Sequence, residues 1–166
     1  MAVRARHEPP DGGARHVKVA EILARKNAAV ITIKPTDTIE ALSRLLRHHR
    51  VGAATVSSDG RRVEGVITER DVVYAVATHG ADLAKTPVSA LMTRQVITCA
   101  PGDAAGQVAS IMQSHRFRHI PVVENDLLIG MVSIRDVLNL RVDELQQQAA
   151  MLRNYAMNAA PVPQDR

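Results

Sequence analysis

Two short phrases carry the residues best suited to chemistry in this chain of 166 residues. Gly65-Val66-Ile67-Thr68-Glu69-Arg70-Asp71 and Gly130-Met131-Val132-Ser133-Ile134-Arg135-Asp136 each run from a glycine through apolar residues to a hydroxyl, with an aspartate three places further on. An apolar run that ends this way reads as a buried strand passing into a helix. The hydroxyl and acid fit a capping box, in which the hydroxyl accepts from the N3 amide and the carboxylate reaches back to the N-cap amide. Capping alone asks nothing of a ligand, but two copies in matching contexts make a repeat rather than an isolated helix start. Catalytic apparatus is not visible: there is no His-Glu-x-x-His, Cys-x-x-Cys, glycine-rich phosphate loop or Gly-x-Ser-x-Gly. His48 and His49 are adjacent, so on a helix they diverge by roughly 100° and cannot converge on one metal. Cys99 is the single cysteine, which excludes an internal disulfide; among small and apolar neighbours it reads as core rather than nucleophile.

The elements that must position these phrases repeat with them. Val19, Ile22 and Leu23 give an apolar helical stripe, and residues 28–33 read as a short strand closed by Lys34-Pro35. Asp37 is expected to cap a helix with Ile39, Leu42, Leu45 and Leu46 on one face and Arg44, Arg47, His48, His49 and Arg50 largely on the other. Residues 53–56 and 63–67 read as a hairpin about Ser58-Asp59-Gly60. The helix that starts at Thr68 is expected to turn Val72, Val73 and Val76 inward and to stop near Gly80. After a polar connection over residues 81–87 the order is replayed: Val88, Leu91 and Met92 answer Val19, Ile22 and Leu23, and Ile97-Thr98-Cys99-Ala100-Pro101 answers Ile31-Thr32-Ile33-Lys34-Pro35. Asp103 stands where Asp37 stood, and Val108, Ile111 and Met112 replace Leu42, Leu45 and Leu46. His115-Arg116-Phe117 follows His49-Arg50-Val51 by 66 positions and Gly130 follows Gly65 by 65, so one residue is lost in the hairpin turn. The expected fold is α/β (α+β), two β-α-β-β-α repeats packed face to face around a shared core with pseudo-twofold symmetry.

Composition narrows the function. Apolar residues make up 46% of the chain but aromatic residues only 2%, namely Tyr74, Phe117 and Tyr155, so base stacking on aromatic platforms is not expected. The net charge of +4 admits anionic partners, yet the arginines are spread rather than blocked together, which favours a nucleotide or a solvated surface over nucleic acid. Residues 1–16 are charged and rich in Pro and Gly with no apolar signal core, and no apolar run could span a bilayer; a flexible tail and a soluble, cytoplasmic protein with no membrane contact are expected. The first repeat spans 17–82, the second 83–145, and 146–166 is a helix extension and tail. After Asp136, Leu138, Val142, Leu145, Ala149, Leu152 and Ala156 recur at steps of four and three along one long helix, an apolar seam that suits a homodimer contact better than folding back.

The repeated Gly-hydrophobic-hydrophobic-Thr/Ser-x-x-Asp, the proline-then-Asp helix starts and the strand leading to Ile120-Pro121-Val122-Val123 resemble a tandem pair of cystathionine-β-synthase-type (CBS) domains, the Bateman module, over roughly residues 17 to 145. With only tails outside the pair, the chain looks like a stand-alone bacterial-type member. The resemblance implies a non-catalytic sensor that binds an adenine nucleotide (AMP, ADP, ATP or NAD(H)) between the repeats and signals to an effector protein the sequence does not name. It implies no catalytic cofactor and no metal; some relatives bind S-adenosylmethionine. Carried over by position, one cleft would use Thr32, Val51, Gly52 and Ala53 with Arg118, His119, Ser133, Arg135 and Asp136. The other would use Thr98, Phe117 to His119, Thr68, Arg70 and Asp71, with Gly52 and Ala53 on its opposite wall. An aspartate at a helix start can accept ribose hydroxyls, a neighbouring Ser or Thr can bond sugar or phosphate, and Arg70, Arg118 and Arg135 can meet phosphate with a planar fork. His119 could contact phosphate or satisfy its ring on a backbone carbonyl. The clefts are unequal, because the first repeat offers Gly52-Ala53 where the second has Arg118-His119, and the one closing on Asp136 is the better phosphate site. The alternatives are a nucleic-acid-binding protein, whose affinity would fall steeply with salt, and an enzyme turning over a bound dinucleotide.

Overall fold

The computed structural model describes residues 3–4, 17–26 and 29–158. In chain order the elements are β1 (Val3–Arg4), α1 (Val19–Lys26), β2 (Thr32–Ile33), α2 (Ile39–His49), β3 (Ala53–Val56), β4 (Gly65–Thr68), α3 (Glu69–His79), a 3₁₀ segment (Gly80–Lys85), α4 (Val88–Leu91), β5 (Ile97–Thr98), α5 (Ala105–Ser114), β6 (His119–Glu124), β7 (Leu127–Ser133) and α6 (Ile134–Asn158). β3 and β4 form an antiparallel hairpin with β2 parallel along β3. β6 and β7 repeat that hairpin, and β5 runs beside β6 through the parallel pairing of Cys99 with Val122. The mixed helix and strand architecture is α+β, as the residue pattern indicates.

The two repeats do not share one core among the described residues; they form two, and each contains a helix from the other half of the sequence. Val19 and Ile22 of α1 are buried with Cys99, Val108, Met112, Ile120, Val122, Val132, Val137 and Leu140. Val88 and Met92, from and just after α4, are buried with Ile33, Leu42, Leu46, Ala54, Val56 and Ile67. The exchange is pinned by matched backbone bonds: Val19 N–H donates to Asp103 and Ala105 N–H to Val17, while Val88 N–H donates to Asp37 and Ile39 N–H to Thr86. A β-α-β-β-α unit buries one face of its sheet with its own helices, and the borrowed helix covers what remains.

This exchange explains the glycine that opens each repeated phrase. A Cβ on Gly130 would lie 2.6 Å from Cδ2 of Leu23, and one on Gly65 would lie 2.8 Å from Sδ of Met92 and 3.0 Å from the Thr93 carbonyl oxygen. Only a residue without a side chain lets the borrowed segment approach the strand this closely.

Several local expectations are corrected. Asp37 does not cap α2: its carboxylate accepts from the Lys34 N–H and closes the turn, and Thr38 is the N-cap, its Oγ1 accepting from Ala41 N–H at 3.2 Å. Asp103 likewise accepts from Ala100 N–H, at 2.7 Å. β2 is confined to Thr32–Ile33. On α3 it is Ala75 that is buried, with Val72 partly so; a 3.6-residue turn then throws Val73 and Val76 outward, at 65% and 56% exposure. Val3–Arg4 is not a loose tail but pairs in parallel with Ile97–Thr98 on the outer edge of β5; the rest of 1–16 lies outside the described residues. Gly80 ends α3 at φ 51°, as its residue type suggests. Cys99 is buried, and desolvation, with the Asp103 charge adding to it, pushes its thiol up to about 12.

α6 is one helix of 25 residues. Val137 and Leu140 enter the second core, whereas Leu138, Val142, Leu145, Ala149 and Leu152 stay exposed, so no described part of the chain folds back over the seam; the side chain of Ala156 is outside the described residues. Among the described residues no helix is long and apolar enough to cross a membrane.

Candidate functional site

Both repeated phrases form the capping box. In the first, the Asp71 carboxylate accepts from Thr68 N–H at 2.8 Å and from the Thr68 hydroxyl at 2.7 Å, while Thr68 Oγ1 accepts from Asp71 N–H at 3.4 Å. In the second, Asp136 accepts from Ser133 N–H and the Ser133 hydroxyl, each at 2.8 Å, and Ser133 Oγ accepts from Asp136 N–H at 3.2 Å. Both acids use Oδ2 for these bonds, so each strand-to-helix corner holds a carboxylate whose second oxygen makes no hydrogen bond among the described residues.

Each corner opens on a cavity at the junction of the repeats. The larger, about 1130 Å³, closes on Asp136 and is walled by Val51, Gly52 and Ala53 opposite Ser133, Ile134 and Arg135. The smaller, about 340 Å³, closes on Asp71 and contains Thr68, Arg70, Phe117 and Arg116. Of the residues singled out in the sequence, Val51, Gly52, Ala53, Arg118, His119, Ser133, Arg135 and Asp136 come together at the first. Thr68, Arg70, Asp71, Phe117, Arg118 and His119 come together at the second. Thr32 and Thr98 line neither; they sit in β2 and β5, and it is their neighbours Ile31 and Ile97 that face the two cavities. Gly52 and Ala53 wall only the larger cavity.

The larger cavity is strongly basic. Lys26, Arg47, Arg50, Arg118 and Arg135 line it against two carboxylates, Glu69 and Asp136. Lys26, at the end of the borrowed helix α1, donates to Asp136 Oδ2 at 3.0 Å and to the Met131 carbonyl at 3.3 Å. Burial alone would raise the Asp136 carboxyl, but the Ser133 backbone and hydroxyl together with Lys26 outweigh it and hold the acid below its ordinary value. His119 is lowered by burial first, then by the charges of Arg118 and Lys26, so its imidazole stands neutral at pH 7. Arg118 reaches across to Glu69, Nη2 to Oε1 3.7 Å. Glu69 in turn stands over Gly52, where a Cβ would come 3.4 Å from its carboxylate.

The residue reading missed Lys26, Glu69 and Arg50. Lys26 and Glu69 carried no signal, because nothing in the sequence says that α1 crosses to the other repeat or that Glu69 points at the cavity. Arg50 did leave one, its recurrence as Arg116 66 positions on; in the structure both hold a left-handed backbone, at φ 54° and 59°, a conformation glycine or asparagine adopts more readily. Each sits at the rim of its own cavity. Among the described residues no group of three or more His, Cys, Asp or Glu side chains could hold a metal ion.

Two repeats that exchange a helix and meet at paired hydroxyl-x-x-Asp corners define a CBS pair, and the CBS domain family matches residues 19–78 and 88–143. The chain belongs to the CBS domain family. It is 30% identical over 121 residues, 73% of this chain and 83% of the relative, to the CBS domain-containing protein YhcV of Bacillus subtilis. A CBS-domain containing protein from Agrobacterium tumefaciens superposes with a TM-score of 0.72 at 40% identity, covering 75% of this chain and 99% of that one. A CBS domain protein from Pyrobaculum aerophilum, solved in complex with AMP, superposes with a TM-score of 0.64 at 31% identity, covering 72% and 89%.

Proposed function

We propose that this chain is a non-catalytic regulatory module that binds an adenine nucleotide, AMP, ADP, ATP or NAD(H), at the cavity closing on Asp136, and signals the occupied state to a partner protein. One observation carries the reading: a carboxylate with a free oxygen, held ionised, faces a ring of arginines across a junction built from both repeats. The free Oδ1 of Asp136 suits ribose hydroxyls, and Ser133 stands beside it. Arg118 and Arg135 suit phosphate. Gly52 and Ala53 let a purine approach the main chain, which can read its edge without an aromatic platform. The AMP complex of the Pyrobaculum relative supports the same class of ligand.

A ligand that touches both repeats favours one relative arrangement of them, and the partner reads that arrangement; the shift is bounded by the ligand's differential affinity for the two states. The exposed α6 seam supplies the surface for a homodimer. A thermal-shift screen of ligand-free protein against AMP, ADP, ATP, NAD and NADH tests the function. Adenine ligands are expected to stabilise by about 2.7 kcal/mol at a hundredfold excess over Kd, with guanine analogues weaker. A flat response to all of them overturns it.

A further inference from the structure

We propose that Arg118 is a single anion-binding arm shared by the two cavities, so that a phosphorylated ligand in one weakens the binding of a phosphorylated ligand in the other. This rests on the nucleotide-binding reading above and adds a coupling to it. Arg118 and His119 are the two residues common to both linings. The Arg118 main chain is fixed to one hydroxyl-x-x-Asp corner, its carbonyl accepting from Ile134 N–H at 2.9 Å. Its side chain lies across the junction against Glu69, the residue after Thr68 in the other phrase, at 3.7 Å; Glu69 lines the larger cavity, while Arg118 itself borders both. That ion pair is long and both side chains are more than half exposed, 51% and 62%, so it holds the guanidinium only loosely and a phosphate can take it.

The matching position in the first repeat is Gly52, whose carbonyl accepts from Glu69 N–H at 3.0 Å but which has no side chain to reach back. One guanidinium therefore borders both cavities, whereas the other arginines, Arg47, Arg50 and Arg135 at the larger and Arg70 and Arg116 at the smaller, each border one. A phosphate bound on either side draws Arg118 toward itself, and by linkage the effect of each site on the other is equal. Adenosine, which has no phosphate, makes no claim on the arm.

Calorimetric titration of the full chain with AMP, repeated with adenosine, tests this. Asp136→Asn weakens binding at the larger cavity and Asp71→Asn at the smaller, which assigns each binding step. The smaller cavity is expected to bind AMP at least about fivefold more tightly in Asp136→Asn than in the wild-type chain with its larger cavity filled. Arg118→Ala should erase that difference, and adenosine should show none. An unchanged constant for the smaller cavity, a difference that survives Arg118→Ala, or a smaller cavity that stays empty in Asp136→Asn overturns the coupling while leaving nucleotide binding at Asp136 intact. No AMP binding to any of these proteins overturns the nucleotide reading and the coupling together.

Discussion

The two cavities are built from corresponding residues but differ in charge, in size and in the backbone behind them. Ser133, Arg135 and Asp136 of the larger answer Thr68, Arg70 and Asp71 of the smaller, and Arg50 answers Arg116. Lys26 bonds Asp136 at 3.0 Å, whereas Gln95 occupies the corresponding place near Asp71. Arg47 adds to the larger cavity from α2, Arg118 and His119 line both, and the thin wall of Val51, Gly52 and Ala53 in the larger answers the bulkier Phe117, Arg118 and His119 in the smaller. The backbone differs as well. In the first repeat the Ile31 carbonyl is used by Thr55 N–H at 3.1 Å; in the second the same position is Pro121, which has no N–H to give Ile97. Duplication thus preserved the strand-to-helix corner that holds the carboxylate and let the surrounding shell diverge into one open, basic cavity and one small one.

That contrast is broken most directly at the paired aspartates. If Asp136 holds the ribose as proposed, Asp136→Asn should lose charge-assisted bonds of about 1.5 to 3 kcal/mol, ten- to a hundredfold in AMP affinity, whereas Asp71→Asn should leave binding at the larger cavity within a few-fold of wild type. Paired urea unfolding without ligand checks that the cap, whose Asn carbonyl still accepts from the Ser133 N–H, keeps the fold. Equal losses from the two substitutions would mean that the cavities are functionally alike.

The glycines sharpen the comparison at the level of packing. Gly65→Ala presses on the backbone carbonyl of Thr93 as well as on Met92, and should cost about 1 to 3 kcal/mol in urea unfolding. Gly130→Ala meets only the mobile end of Leu23 and should cost less. Gly106, inside α5 with nothing within 4 Å of its missing Cβ, should instead gain about 0.5 to 1 kcal/mol when changed to Ala.

The seam of α6 has no counterpart in the first repeat, where α3 stops at Gly80. Leu145→Asp with Leu152→Asp should convert a dimer to monomer by light scattering while leaving AMP affinity unchanged; a monomer before and after the change excludes the homodimer. The smallest effect is that of pH. His119 titrates lower in the folded chain than its ordinary 6.5, with Lys26 and Arg118 opposing its protonation and Glu69 and Asp136 favouring it. The unfolded chain therefore takes up more protons below that value, so this contribution to stability is complete above pH 6.5 and is lost as pH falls toward the folded value. The urea midpoint should drop between about pH 7.5 and about pH 5.5 by more in the wild-type chain than in His119→Asn.

The sequence by itself determined the repeat, the α+β class and both strand-to-helix corners, and it singled out part of the lining of the larger cavity, because these rest on local rules: period, caps and turn residues act over a few positions. It misjudged features that depend on what lies across the chain. Val73 and Val76 look inward by type, and only the packing of Ala75 and Val72 against α2's core turns them to the surface. Asp37 is a good cap in isolation, yet the turn at Lys34 claims its carboxylate and leaves the cap to Thr38. The crossing of α1 and α4 into opposite cores was decided by tertiary structure alone, and it is this crossing that brings Lys26 to Asp136, 110 residues away, and that sets Met92 and Thr93 against Gly65 and Leu23 against Gly130. An amphipathic stripe says that a helix must bury a face; it does not say against which sheet, since either core offers apolar surface.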